Sequence, residues 1–148
     1  MAANAKLADT LNELTLFIND RIEGYKKAAQ ETKSAENQVY YQSLVQQSEQ
    51  FVHELNGFAI SAGGDGEDST TLKGKFYRGF MDAKALVTAR DEHSILDSNI
   101  YGEEWALKAY REALEGGELP EAARASVERQ YEASQQTYEK LKALKTRE

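Results

Sequence analysis

A single proline, Pro120, stands in a chain of 148 residues, and the ten glycines gather at a few places. A chain with so few breakers can run in long helices, and its punctuation then marks the loops. Gly63-Gly64-Asp65-Gly66-Glu67-Asp68 is the clearest loop, followed by Ser69 and Thr70 as N-cap residues. Gly116-Gly117-Glu118-Leu119-Pro120 is the second, with glycine closing one helix and proline entering the next. Thr32-Lys33-Ser34 and Ala89-Arg90-Asp91 are weaker steps, with Ser34 and Asp91 as caps.

These cuts predict helices near 5–31, 34–62, 91–116 and 120–146, and a shorter one at 70–88. Steps of three and four residues pick one apolar stripe on each long segment. The first carries Leu7, Leu11, Leu14, Ile18, Arg21, Tyr25 and Ala28; the second carries Asn37, Tyr41, Leu44, Ser48, Phe51, Leu55, Phe58 and Ala62. The third carries Leu96, Ile100, Glu103, Leu107, Tyr110 and Leu114, and the fourth Val127, Tyr131, Ser134, Tyr138 and Leu141. One stripe per helix predicts a single all-α domain over 1–148, a four-helix bundle.

Short links make antiparallel hairpins of the first and second helices and of the third and fourth. Between the hairpins lies the stretch with Leu72, Phe76, Phe80, Ala83 and Val87 on one side. As a helix it would span roughly 28 Å at 1.5 Å per residue, about the bundle's length. Such a crossover returns the third helix parallel to the second, the one-crossover topology of ferritin-like bundles. Tyr101, Trp105 and Ala109 form a second stripe on the third helix, on which the crossover helix is expected to lie. A partner-binding groove is the other use of that stripe.

Each stripe breaks near its midpoint, at Arg21, Ser48, Glu103 and Ser134. In helices of nearly equal length these four positions form one buried polar layer. Tyr25, Tyr41, Tyr110, Tyr131 and Tyr138 fall at core positions around it, with hydroxyls that need partners. Ferritin-like bundles use this level for a dinuclear metal site built from glutamates and Glu-x-x-His pairs. Only Glu103 suits that template. Arg21 opposes a cation, and Asp20 and Glu23 are expected to point away from the stripe. Gln50-x-x-His53 falls opposite Phe51, Leu55 and Phe58 at 100° per residue. Gln135-x-x-Tyr138, near the interior, offers an amide and a phenol instead of a carboxylate and an imidazole. The expectation is therefore a structural layer of Arg21, Ser48, Glu103, Ser134, Tyr25 and Tyr138, with no catalytic residue, cofactor or metal.

Composition narrows the function classes further. With no cysteine there are no disulfides or thiolate ligands, and two histidines exclude a three-His metal site within the chain. His53 and His93 read as surface residues. A formal net charge of −7 disfavours nucleic acid, since Lys140, Lys142, Lys145 and Arg147 suit the C-terminal end of a helix dipole. The acidic run 65–68 lacks EF-hand spacing. No window approaches the ~18 apolar residues of a membrane span. MAANAKLADTLNEL lacks a basic leader and an apolar h-region, which predicts a cytoplasmic chain. Leu16 and Tyr40 lie off the stripes; a homodimer through the first two helices would use them, and ordinary surface exposure accounts for them equally.

Several segments also carry a resemblance. They are Thr10-Leu-Asn-Glu-Leu14, Asn19-Asp-Arg-Ile-Glu-Gly-Tyr25, Phe51-Val-His-Glu-Leu55, Tyr77-Arg-Gly-Phe-Met-Asp-Ala-Lys84, Gly102-Glu-Glu-Trp-Ala-Leu-Lys-Ala-Tyr110, Leu119-Pro120 and Arg129-Gln-Tyr131. In this order and spacing the chain resembles small bacterial four-helix-bundle proteins of unknown function in the ferritin-like superfamily. The resemblance implies a ferritin-like bundle and supports the crossover, but brings no enzyme activity. Members often carry histidine where Tyr138 stands, so this chain departs toward a poorer metal site. An association with stationary-phase or oxidative stress is implied at the level of the superfamily.

The leading expectation is a non-catalytic bundle that acts by binding or assembly. The first alternative is a degenerate iron- or manganese-binding or oxidoreductase protein, using Glu103 with Tyr138, Gln135 or Tyr25. The second is a small-molecule carrier with a tyrosine-lined cavity beside Ser48 and Ser134.

Overall fold

The computed structural model describes residues 2–63, 91–116 and 119–147, excepting the side chains of 2–5. Within them the chain forms four helices: α1 (Ala2–Glu31), α2 (Ala35–Ser61), α3 (Glu92–Glu115) and α4 (Glu121–Arg147). No strand occurs among the described residues. The expected helix at 70–88, the caps Ser69 and Thr70, and the acidic loop 65–68 lie outside them.

The helix ends follow local chemistry. Ser34 adopts an extended conformation, and its hydroxyl accepts the backbone N–H of Asn37 at 3.1 Å, satisfying a donor that the first turn of α2 leaves open. Asp91 caps α3 likewise, its carboxylate accepting from the His93 N–H at 3.0 Å. At the end of α2 the chain leaves the helix through Gly63 at φ +92°, a left-handed conformation that glycine reaches without a Cβ clash. The expected start of α1 at residue 5 falls three residues late.

Side by side, α1 packs on α2 and α3, and α4 packs on α3 and α2. At one end, the Glu92 carboxylate accepts the Thr32 hydroxyl at 2.6 Å and the Lys33 N–H at 2.8 Å. The first turn of α3 is thereby joined to the link between α1 and α2. Lys145 pairs with Asp97 at 2.5 Å, bringing the last turn of α4 to the same end. Both α2 and α3 therefore start at that end and run parallel, each antiparallel to its packed neighbours.

Two apolar clusters fill the core. Leu11, Leu14, Ile18, Phe51, Leu55, Ala106, Tyr110 and Val127 belong to one. Tyr25, Ala28, Tyr41, Leu44, Ile95, Leu96 and Leu141 belong to the other. Along every helix the switch between clusters coincides with the midpoint polar residue: Arg21 lies between Ile18 and Tyr25, and Ser48 between Leu44 and Phe51.

The stripes of α1 and α2 hold along most of their length, with Ala8 buried beside half-buried Leu7 and Ala59 buried in place of Phe58, whereas α4 departs from its stripe at alternate positions and α3 at Ile100 and Leu114. In α4 the buried series is Ala123, Val127, Gln130, Ser134, Thr137 and Leu141, so Tyr131 and Tyr138 are displaced to half-buried flanks. In α3, Asn99, Ala106 and Ala113 are buried while Ile100 and Leu114 flank the core. Small residues at these seams let the helices approach closely, and the larger neighbours cover the edges. Asp20, expected to point away, is buried, as is Ile22. Packing against both α2 and α3 buries a wider arc of α1 than a single stripe.

Candidate functional site

Four helices each deliver one or two polar side chains to the level between the clusters. Arg21 and Tyr25 come from α1, one turn apart on the same face; Ser48 comes from α2, Glu103 from α3, and Ser134 and Thr137 from α4. All six are buried, Ser48 and Ser134 completely.

The Arg21 guanidinium is satisfied on three sides. Its Nε donates to Glu103 Oε1 at 2.6 Å, Nη1 to the Ser48 hydroxyl at 2.6 Å, and Nη2 to the Thr137 hydroxyl at 3.3 Å. Each hydroxyl uses its own proton toward the carbonyl one turn back: Ser48 donates to Leu44 at 2.7 Å and Thr137 to Ala133 at 3.1 Å. The guanidinium carbon also lies 5.2 Å from the centre of the Tyr25 ring and 5.7 Å from that of Phe51.

Glu103 is engaged through both oxygens. Oε1 accepts from Arg21 and from the Tyr25 hydroxyl, the latter at 2.5 Å, and Oε2 accepts from the Ser134 hydroxyl. Burial works against the charge on Arg21, but attraction to Glu103 and the nearby Tyr25 and Tyr110 outweighs it, so the guanidinium binds its proton more tightly than usual.

A second polar path joins the core to the surface. The Tyr110 hydroxyl donates to Gln130 Oε1 at 2.9 Å, and Gln130 Nε2 donates to Glu54 Oε1 at 3.0 Å and to the Phe51 carbonyl at 3.4 Å. Ser126 and Arg129 also donate to Glu54, at 2.8 and 2.6 Å. Partial burial alone would raise the Glu54 pKa, but these donors overcome it and hold it below its ordinary value. Burial pushes the Tyr110 phenol up.

The structure thus joins Arg21, Tyr25, Ser48, Glu103 and Ser134 in one network, but not Tyr138. Its hydroxyl donates to exposed Glu104 at 3.0 Å, and Gln135 is exposed. Thr137 takes the position in the layer. Thr137 and Gln130 were missed because an apolar stripe selects the aromatic residue one position on, whereas the layer needs hydrogen-bonding groups. A series stepped from Ser134 by three and four residues through polar side chains would have found both. Gln50, His53 and His93 are exposed, and Tyr101 is 42% exposed. Trp105 is half-buried, its ring stacked 6.5 Å from Phe17.

The residues at this level do not fit the dinuclear iron or manganese centre of a ferritin-like bundle. The one carboxylate in the layer already accepts three hydrogen bonds, and a guanidinium occupies the space opposite it. Charge and donor chemistry both oppose a cation here. Among the described residues, no group of three or more His, Asp or Glu side chains is placed to hold a metal ion. No described helix is long and apolar enough to cross a membrane.

Residues 6–116 match the family described as Domain of unknown function (DUF2383), and the chain belongs to that family. The match includes Arg21, Tyr25, Ser48 and Glu103 and ends before α4, which supplies Ser134 and Thr137. No curated protein and no solved structure matches the chain.

Proposed function

We propose that this member of the DUF2383 family is a non-catalytic, ferritin-like bundle that acts by binding or assembly, with the Arg21–Glu103 layer in place of a dinuclear metal site. The observation that carries the reading is the engagement of both Glu103 oxygens by Arg21, Tyr25 and Ser134. A carboxylate that already accepts three hydrogen bonds is a poor ligand for two cations, and its charge is balanced by a group that stays protonated. The parallel course of α2 and α3 supports the ferritin-like comparison, because a bundle with one long connection requires it.

The layer then serves to set helix register. Each apolar cluster could accept a one-turn slip of a helix, but the polar partners are restored in one register only. Specificity of this kind is a recognised use of buried polar groups. In this reading the protein works in the bacterial cytoplasm in association with stress, and its partner is another protein or a second copy of the chain.

Elemental analysis of protein expressed with iron, manganese and zinc tests the reading, alongside Arg21→Ala and Glu103→Ala. Metal-free protein in all three cases is expected. Near-stoichiometric metal in the wild type that is lost in Glu103→Ala would overturn it and favour an oxidoreductase.

A further inference from the structure

Three tyrosines lead from the polar layer toward the surface. Tyr25 and Tyr41 are buried and stacked, with ring centres 6.2 Å apart and planes at 20°. Tyr40 follows, 6.3 Å from Tyr41, half-buried, with the Lys140 ammonium 4.4 Å from its ring centre. The inner end differs chemically from the rest. Tyr25 donates its proton at 2.5 Å to the Glu103 carboxylate, a base.

This matters because a phenol that loses an electron becomes strongly acidic and forms a neutral radical where its proton has an acceptor. Buried Tyr110 donates to the amide oxygen of Gln130, which is far too weak a base. Tyr138 faces a carboxylate, but an exposed one, where water and solutes reach any radical. Of Tyr25, Tyr110 and Tyr138, Tyr25 combines burial with a carboxylate acceptor.

We propose that Tyr40, Tyr41 and Tyr25 form a relay that carries an oxidising equivalent from the surface into the polar layer. A one-electron, outer-sphere oxidant at the surface takes an electron from Tyr40 and is reduced by one electron. The hole passes through Tyr41 to Tyr25, whose O–H bond breaks. The proton moves to Glu103 Oε1, leaving a neutral tyrosyl radical, a neutral carboxylic acid and the Arg21 cation. The layer changes from net zero to +1, which equals the single electron removed. A one-electron donor at the surface reverses every step: the electron returns to Tyr25 and the proton leaves Glu103. The protein would thus hold an oxidising equivalent away from solvent and release it to a reductant. This inference is independent of the assembly reading, because it needs neither a partner nor a metal.

The test uses photogenerated ruthenium(III) tris-bipyridine as oxidant on the full chain carrying Trp105→Phe, so that the sole indole does not compete. Electron paramagnetic resonance of freeze-quenched samples reads the radical. The expected signal is a neutral tyrosyl radical with one fixed ring orientation, formed more slowly in deuterated water. Tyr25→Phe should shorten its lifetime by an order of magnitude or more, Tyr40→Phe should lower its yield, and Tyr138→Phe should change neither. A signal unaffected by Tyr25→Phe or abolished by Tyr138→Phe would overturn the relay. So would a spread of ring orientations or no deuterium effect in the chain retaining all its tyrosines, readouts that stand even if Tyr25→Phe does not fold.

Discussion

Arg21 and Glu103 are 82 positions apart in the chain, yet Nε and Oε1 meet at 2.6 Å with both side chains essentially withdrawn from water. Neither charge is tolerable alone at this depth, so the pair makes α1 and α3 mutually dependent. Arg21→Met leaves Glu103 as an uncompensated buried charge and is expected to cost about 3–5 kcal/mol. Combining it with Glu103→Leu should recover much of that loss. Urea denaturation of both variants checks this, and equal midpoints for the single and double variants would remove the coupling.

The register of α4 gives a second prediction. Gln130 supplies the acceptor for the buried Tyr110 hydroxyl, whereas Gln135 faces solvent. Gln130→Leu strands that hydroxyl and should destabilise by about 1–3 kcal/mol. Gln135→Leu should stay within about 0.5 kcal/mol of the parent. Comparable losses at the two positions in thermal or urea melts would contradict the register.

Acid should weaken the α2–α4 contact through Glu54. Its pKa in the folded chain lies below the ordinary 4.5, because the hydrogen bonds from Gln130 and Ser126 and the Arg129 charge outweigh desolvation. A depressed carboxylate contributes stability that is complete above the unfolded value and is lost as pH falls through the folded one. Stability should therefore decline as pH drops below about 4.5, and less steeply in Glu54→Gln. Urea titrations at a series of pH values, compared between parent and variant, read the difference; identical slopes would show that Glu54 is not responsible.

Two end contacts test how the bundle is pinned. Ser34→Ala removes the N-cap of α2 and should cost about 1 kcal/mol. Glu92→Ala withdraws the acceptor shared by the Thr32 hydroxyl and the Lys33 N–H and should cost about 0.5–1.5 kcal/mol per hydrogen bond lost. Amide hydrogen exchange should accelerate at Asn37 in Ser34→Ala and at Lys33 in Glu92→Ala. Unchanged exchange at the amide each variant frees would mean that the contact does not hold the bundle end.

Helix content, the Ser34 and Asp91 caps and the central parts of the stripes of α1 and α2 were legible from the chain alone. Those features depend on residues a few positions apart: scarce breakers, hydroxyl or carboxylate caps, and apolar residues every three or four positions. The midpoint interruptions were equally visible, since Arg21, Ser48, Glu103 and Ser134 break their own stripes. What each interruption touches was decided only in three dimensions. Tyr138 and Thr137 are adjacent, and hydrophobicity favours the tyrosine for the core. The tertiary arrangement instead buries Thr137, because Arg21 arrives from another helix with an N–H to satisfy, and turns Tyr138 outward to Glu104. Gln130 is buried for the same reason, by the demand of Tyr110. Local periodicity thus determined which helices form and roughly which face turns inward. The exact choice between neighbouring residues belonged to packing, because a buried polar group is tolerable only where a partner from elsewhere in the chain meets it.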